Sequence, residues 1–380
     1  MIAKTHYGLE EVLAEELKRL GAQDVSILTR AVGFSGTTET MYKANLYCRS
    51  ALRILKPLFK FKARNENALY KGVQKYDWGK LFSSKDTLAI DGAVSSKFFS
   101  NSKYLSLKAK DAIVDQFRNN TGIRPSVDLD DPVIRINLHI AEDECAVSLD
   151  SSGSSLHKRG YRSGINEAPL NEVLAAGLIL LTGWDGKSNF IDPMCGSGTI
   201  LIEAALIAYN TAPGLIRKKF GFMKWKDFDR DLWDSLVTEA KEKISPCGYS
   251  LTGSDISSEY IGYAKGNARL AGLEGKVTLM RKDIEQMAPP EGGGILITNP
   301  PYGERLKQED INSFYKRIGD RLKTAYKGYD AWVLSANKEA LKCFGLHPYK
   351  KINLKNGPLD CKFQKFPLYD GPKYAQKKQD

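Results

Sequence analysis

The chain has 380 residues, 42% hydrophobic and 27% charged, enough for two or three domains with cores of their own and too apolar for a disordered polymer. No stretch approaches eighteen uninterrupted apolar residues and the N-terminus lacks the apolar run of a signal peptide, so neither a membrane span nor an export leader is expected. Six scattered cysteines without a CxxC pair argue against a zinc or disulfide framework; they suggest a reduced, cytoplasmic setting and no metal.

Residues 9–20 place Leu9, Val12, Leu13, Leu17 and Leu20 at helical spacing, with Gly21 as the stop. A strand candidate lies on either side, giving a small α+β opening. Helical patterns recur at about 39–52, 65–75 and 103–119, and strand patterns near 57–62, 87–94, 133–140 and 145–149. The acidic run 141–144 between the last two reads as a hairpin turn. Charge is uneven along this half. Residues 41–118 hold 16 Lys and Arg against 6 Asp and Glu, whereas 119–150 hold 2 against 7. With 56 basic and 45 acidic side chains overall, basic blocks separated by an acidic one suggest a polyanionic partner.

The Ser/Gly-rich run 150–155 marks the best domain boundary. Beyond it the elements alternate: helix 171–181, strand 189–192, helix 199–209, strand 249–255, helix 257–271, strand 277–280, strand 295–298, helix 311–326 and strand 331–334. Such alternation predicts a parallel sheet covered by helices on both faces. The basic aromatic stretch within 213–228 interrupts the pattern. It reads either as an RNA contact or as an insertion whose aromatic rings pack while its lysines stay in water.

Three strand ends carry ligand chemistry. Asp192-Pro193-Met194-Cys195-Gly196-Ser197-Gly198-Thr199 joins a strand to a helix, and its glycines let the backbone turn tightly against a ligand. Asp255, closing the next strand, suits a ribose diol, and Asp283, after the third, could accept from an adenine amino group. The set points to an adenosine-bearing cofactor; the absence of GxGxxG and GxxxxGK[ST] disfavours a dinucleotide or a triphosphate. Cys195 reads as a small turn residue, since no base lies near it in sequence. Cys247, in Pro246-Cys247, precedes the wrong strand to serve as a cytosine-C5 nucleophile.

The most specific feature is Asn299-Pro300-Pro301-Tyr302, delivered by the apolar strand 295–298. An exocyclic base amine is a poor nucleophile because its lone pair is delocalised. Hydrogen bonds from its two N–H groups to the Asn299 amide oxygen and a proline carbonyl would localise that pair and hold the amine in line with a sulfonium methyl. The prolines stiffen the loop, with Pro300 following Asn299 directly, and Tyr302 offers a face on which a base could stack. No strong general base is needed, because the proton can leave after transfer.

These motifs resemble those of class I S-adenosylmethionine-dependent amino-methyltransferases. More narrowly, Leu156-His157-Lys158-Arg159-Gly160-Tyr161-Arg162, Ala168-Pro169-Leu170, the 192–199 loop and Asn299-Pro300-Pro301-Tyr302-Gly303-Glu304-Arg305 resemble the THUMP-domain RNA methyltransferases, in particular the bacterial family that makes N2-methylguanosine in 23S ribosomal RNA. The resemblance implies an α/β fold: a Rossmann-like class I methyltransferase domain with a mainly parallel seven-stranded sheet, preceded by an α+β ferredoxin-like and THUMP region. It implies boundaries at 1–50, 51–153 and 154–380, and makes 41–118 part of an RNA-binding platform. S-adenosylmethionine would be held by Asp192, Met194, Cys195, Gly196, Gly198, Thr199, Asp255, Ile256, Asp283, Ile284 and Asn299. Asn299, Pro300 and Tyr302 would carry the chemistry, and Tyr302, Arg305, Arg159 and Arg162 would meet the RNA. Some relatives carry a second, fused methyltransferase domain; this chain ends after one, so a second modification is not expected of it.

Adenine N6 on DNA or RNA presents an amine to the same loop and stays open. Glutamine N5 of a protein is weakened by the basic N-terminal platform. A non-catalytic RNA-binding or ribosome-assembly factor is weakened by the intact set Asp192, Asp255 and Asn299.

Overall fold

Apolar residues alternate with charged ones through much of the N-terminal half, and the backbone follows that alternation into a half-covered sheet. The structure is a computed structural model and describes residues 1–162, 169–303 and 308–369. Two compact units divide the chain, the first formed by Met1–Thr5, Leu13–Leu156 and Arg217–Thr238.

The N-terminal elements are β1 (Ile2–Lys4), α1 (Glu10–Arg19), β2 (Gln23–Leu28), β3 (Ala31–Ser35), α2 (Thr38–Tyr47), β4 (Arg53–Lys62), α3 (Glu66–Gln74), β5 (Thr87–Ser95), α4 (Ser102–Thr121), β6 (Ser126–Val127), β7 (Ile134–Ala141) and β8 (Glu144–Asp150). Their strands form one sheet in the order β2-β3-β1-β4-β8-β7-β5-β6. The expected hairpin is present, with Ala141 opposite Glu144. β4 pairs with β1 through Arg53 to Leu55 and with β8 through Leu55 to Lys62. The sheet is therefore continuous across the expected boundary between residues 50 and 51.

The 213–228 stretch also departs from the simple division at residue 153, because Arg217–Thr238 packs in the first unit although it falls inside 154–380. Phe220, Phe222 and Trp225 are buried. Phe222 stacks on Tyr42 with ring centroids 4.3 Å apart, and Trp233 meets both rings edge-on. Lys219 and Lys224 pair with Asp131. The aromatic side chains thus serve packing.

The second unit opens with α5 (Glu172–Thr182), β9 (Asn189–Asp192) and α6 (Thr199–Ala208); α7 (Arg230–Glu242) follows in the chain, its residues up to Thr238 belonging to the first unit. Then come β10 (Leu251–Asp255), α8 (Ser258–Leu270), β11 (Thr278–Arg281), β12 (Gly294–Thr298), α9 (Gln308–Ala325), β13 (Tyr329–Ser335), α10 (Lys338–Lys342), β14 (Lys350–Asn356) and β15 (Leu359–Pro367). The sheet order is β11-β10-β9-β12-β13-β15-β14. The first five strands are parallel; β15 runs antiparallel to β13, and β14 antiparallel to β15. This is the mainly parallel seven-stranded sheet that the family resemblance implies.

Its central strands are buried on both faces, which explains their continuous apolar runs. One core cluster holds Phe190, Leu201, Ile297 and Trp332, and another Ile191, Leu296, Tyr315 and Phe344. Chain order reverses between β9 and β12. A crevice opens beyond the carboxyl ends of strands at such a point, and Asp192 and Asn299 both stand there.

Candidate active site

β9 delivers Asp192 at its last position, and the following loop must turn sharply into α6. Gly196 (φ +52°) and Gly198 (φ +81°) take left-handed conformations that cost a side-chain-bearing residue about 1–2 kcal/mol. The Cys195 N–H donates to the Ser254 carbonyl at 2.8 Å, tying the loop to β10. Asp255, closing β10, is fixed in turn: it accepts the Gly196 N–H at 2.9 Å on one oxygen and the Ser257 N–H at 2.9 Å on the other. Asp283 accepts the Glu285 N–H at 2.8 Å. The N-cap of α6 is Gly198, with no side chain to satisfy the helix's first N–H groups.

These strand ends enclose a cavity of about 490 Å³. Asp192, Met194, Cys195, Gly196, Thr199, Asp255, Ile256, Asp283, Ile284 and Asn299 all line it. Gly198 does not; it sits behind the wall, where a Cβ would come within 3.1 Å of Ala264 on α8. Asp192 is 1% exposed, and its Oδ1 has no hydrogen-bond partner. Burial, with a smaller contribution from the Asp255 charge, pushes its carboxyl well above the usual carboxylate range. Burial likewise raises the Cys195 thiol, which suits a packed turn residue and not a nucleophile.

Further wall residues are not evident from the motifs. Tyr260 stands in the first turn of α8, five positions after Asp255, and that spacing could have marked it. Phe314 comes from α9 and Leu170 from the segment before α5; packing brings both in, with no local signal.

The catalytic segment is placed less simply. Asn299 and Pro301 line the cavity, and Pro300 is buried. Tyr302 does not line it. Its ring packs against the second unit's core and borders a separate groove of about 570 Å³ with Asn337, Lys338 and Asp360. Its hydroxyl donates to Asn299 Oδ1 at 2.5 Å and accepts a long hydrogen bond, 3.5 Å, from Asn356 Nδ2. Burial raises the hydroxyl far above a free tyrosine, so it stays a donor. In place of the stacking face expected from the sequence, Tyr302 presents a hydroxyl to Asn299.

Arg159 requires a correction. It is 1% exposed and its guanidinium meets Glu203 on α6 at 3.4 Å, where Tyr161 also donates at 3.0 Å. An otherwise apolar helix carries a buried carboxylate there, and Arg159 neutralises it; the side chain does not face a substrate. Arg162 braces the wall, donating to Glu172 at 2.6 Å and to the carbonyl of cavity-lining Leu170 at 2.7 Å. Arg305 lies outside the described residues.

Comparison with known proteins gives three domain matches. Residues 159–365 match the RMKL-like methyltransferase domain, 63–150 the THUMP domain and 1–55 the RlmL ferredoxin-like domain. A Synechocystis sp. protein named "Putative RNA methyltransferase slr0064" is 42% identical over 95% of each chain. The ribosomal RNA large subunit methyltransferase K/L of Syntrophotalea carbinolica is 41% identical over 95% of this chain but 52% of its own, so this chain spans about half its length. A crystal structure described as "SMU.472, a putative methyltransferase complexed with SAH" superposes with a TM-score of 0.87 at 31% identity, covering 98% of both chains. The chain belongs to the RMKL-like methyltransferase family, with the family's THUMP and ferredoxin-like domains ahead of its catalytic domain.

Proposed function

We propose that the protein methylates an exocyclic amine of an RNA base with S-adenosylmethionine, the target being guanine N2 in 23S ribosomal RNA. One observation carries the reading: Asn299 stands at the carboxyl end of β12, in the wall of a cavity whose other polar groups suit that cofactor.

The fit rests on the donor set. Asp255 and Asp283 make the cavity electronegative, against Lys282 as the cation among its described lining residues. A ligand bearing a sulfonium and an ammonium group suits that balance, and the buried, unpartnered Asp192 Oδ1 is an acceptor waiting for a donor. Asp255, its carboxylate fixed by two backbone N–H groups, keeps lone pairs for a ribose diol. Asp283 lies on the same wall for an adenine amine, and the uncapped start of α6 suits a carboxylate. When bound, the cofactor supplies a methyl group on positively charged sulfur.

The chain's own part is to aim the amine. Asn299 Oδ1 accepts one amine N–H, and the Tyr302 hydroxyl occupies the other lone pair of that oxygen. With the amine held by fixed groups, the gain is chiefly one of orientation. The proton leaves to solvent after transfer.

RNA as the substrate class is supported by the THUMP match over 63–150, by the names of the two relatives and by the basic block 41–118. Guanine N2 is supported by the family resemblance in the sequence. Mass mapping of ribosomal RNA from a strain lacking the gene tests this. We expect one N2-methylguanosine to be lost and then restored by the wild-type gene; persistence of every such residue overturns the assignment.

A further inference from the structure

The loop that carries Asn299 is tethered by side chains that lie outside the cofactor cavity. Tyr315 on α9 is fully buried, and its hydroxyl donates to the Pro301 carbonyl at 3.2 Å. The same hydroxyl lies 2.7 Å from Ser335 Oγ, at the end of β13, and Ser335 Oγ accepts the Asn337 N–H at 3.0 Å. Asn337 then uses both ends of its carboxamide. Oδ1 accepts the Ala340 N–H at 2.9 Å and caps α10, while Nδ2 donates to the Tyr302 carbonyl at 3.0 Å. Two consecutive carbonyls of the catalytic loop are thereby held from two different elements. The chain of hydrogen bonds ends at Asn299 Oδ1, through the Tyr302 hydroxyl.

We propose that Asn337 is a positioning residue for the methyl transfer: its carboxamide nitrogen fixes the backbone at Tyr302, and so fixes the hydroxyl that orients the Asn299 carboxamide. This rests on the reading of Asn299 given above. A carboxamide has nearly isosteric oxygen and nitrogen ends, so its shape alone does not decide which end faces a substrate. The Tyr302 hydroxyl accepts from Asn356 Nδ2 and the Cys361 thiol and turns its own proton to Asn299, and a donated proton selects the oxygen. If Asn337 lets the loop drift, the selection and the aim are lost together. A displacement of about 1 Å can lower a rate on the order of a hundredfold.

The competing role is helix capping alone, and one substitution separates the two. Asp caps a helix about as well as Asn, but its ionised side chain cannot donate. Asn337→Asp therefore keeps the cap on α10 and removes the tether to Tyr302. We expect its melting temperature and cofactor Kd to match wild type, with single-turnover kcat on a 23S rRNA transcript reduced about tenfold or more and KM for the RNA unchanged. Asn337→Ser, which also caps but is too short to reach the carbonyl, should behave alike. Wild-type kcat in both variants overturns the proposal.

Asn299→Ala run in parallel keeps the two claims apart. If it retains turnover, the reading of Asn299 fails; if it is inactive while Asn337→Asp is fully active, only the positioning role fails. A crystal structure of Asn337→Asp gives a readout independent of turnover. Displacement of the Tyr302 hydroxyl from Asn299 is expected, and an unchanged hydrogen bond overturns the proposal.

Discussion

At the scale of single residues, the proposed cofactor cavity holds an acid that burial has made hard to ionise. Asp192 titrates well above its unfolded value of about 3.9 because it is desolvated and shares the cavity with Asp255. The folded chain therefore holds this proton more tightly than the unfolded one. Asp192 weighs least against stability below the unfolded pKa, and stability falls as pH rises from there toward the raised value. A cationic ligand favours the ionised carboxylate, so its binding should release a proton within that window. Calorimetry in buffers of different ionisation heat, kept below about pH 7 so that the ligand's amino group stays charged, should show proton release and affinity rising with pH. Asp192→Asn should flatten that dependence; proton uptake on binding would contradict the assignment.

Elements are legible wherever burial writes itself into the sequence. β9, β10 and β12 lie within a residue or two of their expected bounds. β12 reads directly from the apolar run Ile295-Leu296-Ile297, whereas β10 is largely buried although Thr252, Gly253, Ser254 and Asp255 follow its one apolar residue. β14 escapes notice, because Lys350, Lys351, Asn353 and Lys355 give an edge strand in which Leu354 is the one buried residue. Arg159 shows the same limit from the other side: a sequence displays its charge but not the Glu203 that encloses it. Arg159→Met should destabilise the protein by about 3–5 kcal/mol in urea unfolding, since it removes the guanidinium that balances a buried carboxylate, while the double change with Glu203→Leu should recover most of the loss. Turnover per folded molecule should stay at the wild-type level, and a selective loss of turnover would return Arg159 to the substrate. Gly319 is a second element-scale constraint. A Cβ there would lie 1.8 Å from the Phe344 carbonyl oxygen, so α9 can approach that backbone only with glycine. Ala ordinarily improves a helix interior by about 1 kcal/mol over Gly. Here the clash should outweigh that gain, and Gly319→Ala should lower the unfolding midpoint.

At the scale of the whole molecule, the proposed function gives recognition to the basic block 41–118 and chemistry to the methyltransferase domain. Their order is legible because charge and alternation both change near residue 150. The return of Arg217–Thr238 to the first unit is not, since it depends on Phe222 meeting Tyr42, far away along the chain. Neutralising RNA phosphates releases counterions, so reversing Lys60, Lys62, Lys71 and Lys75 to Glu should weaken RNA binding. The salt slope should fall by about 0.7 for every phosphate of single-stranded RNA that is no longer neutralised. An unchanged slope would remove that block from the interface.

The central claim is that Asn299 directs a methyl group onto an exocyclic base nitrogen, and nucleoside mass spectrometry of a 23S rRNA transcript incubated with protein and methyl-labelled S-adenosylmethionine tests it most directly. The label should appear in N2-methylguanosine with the wild-type chain, and should be absent with Asn299→Ala although cofactor affinity is retained. Label in a ring-carbon or ribose methyl, or equal labelling by Asn299→Ala, would contradict it.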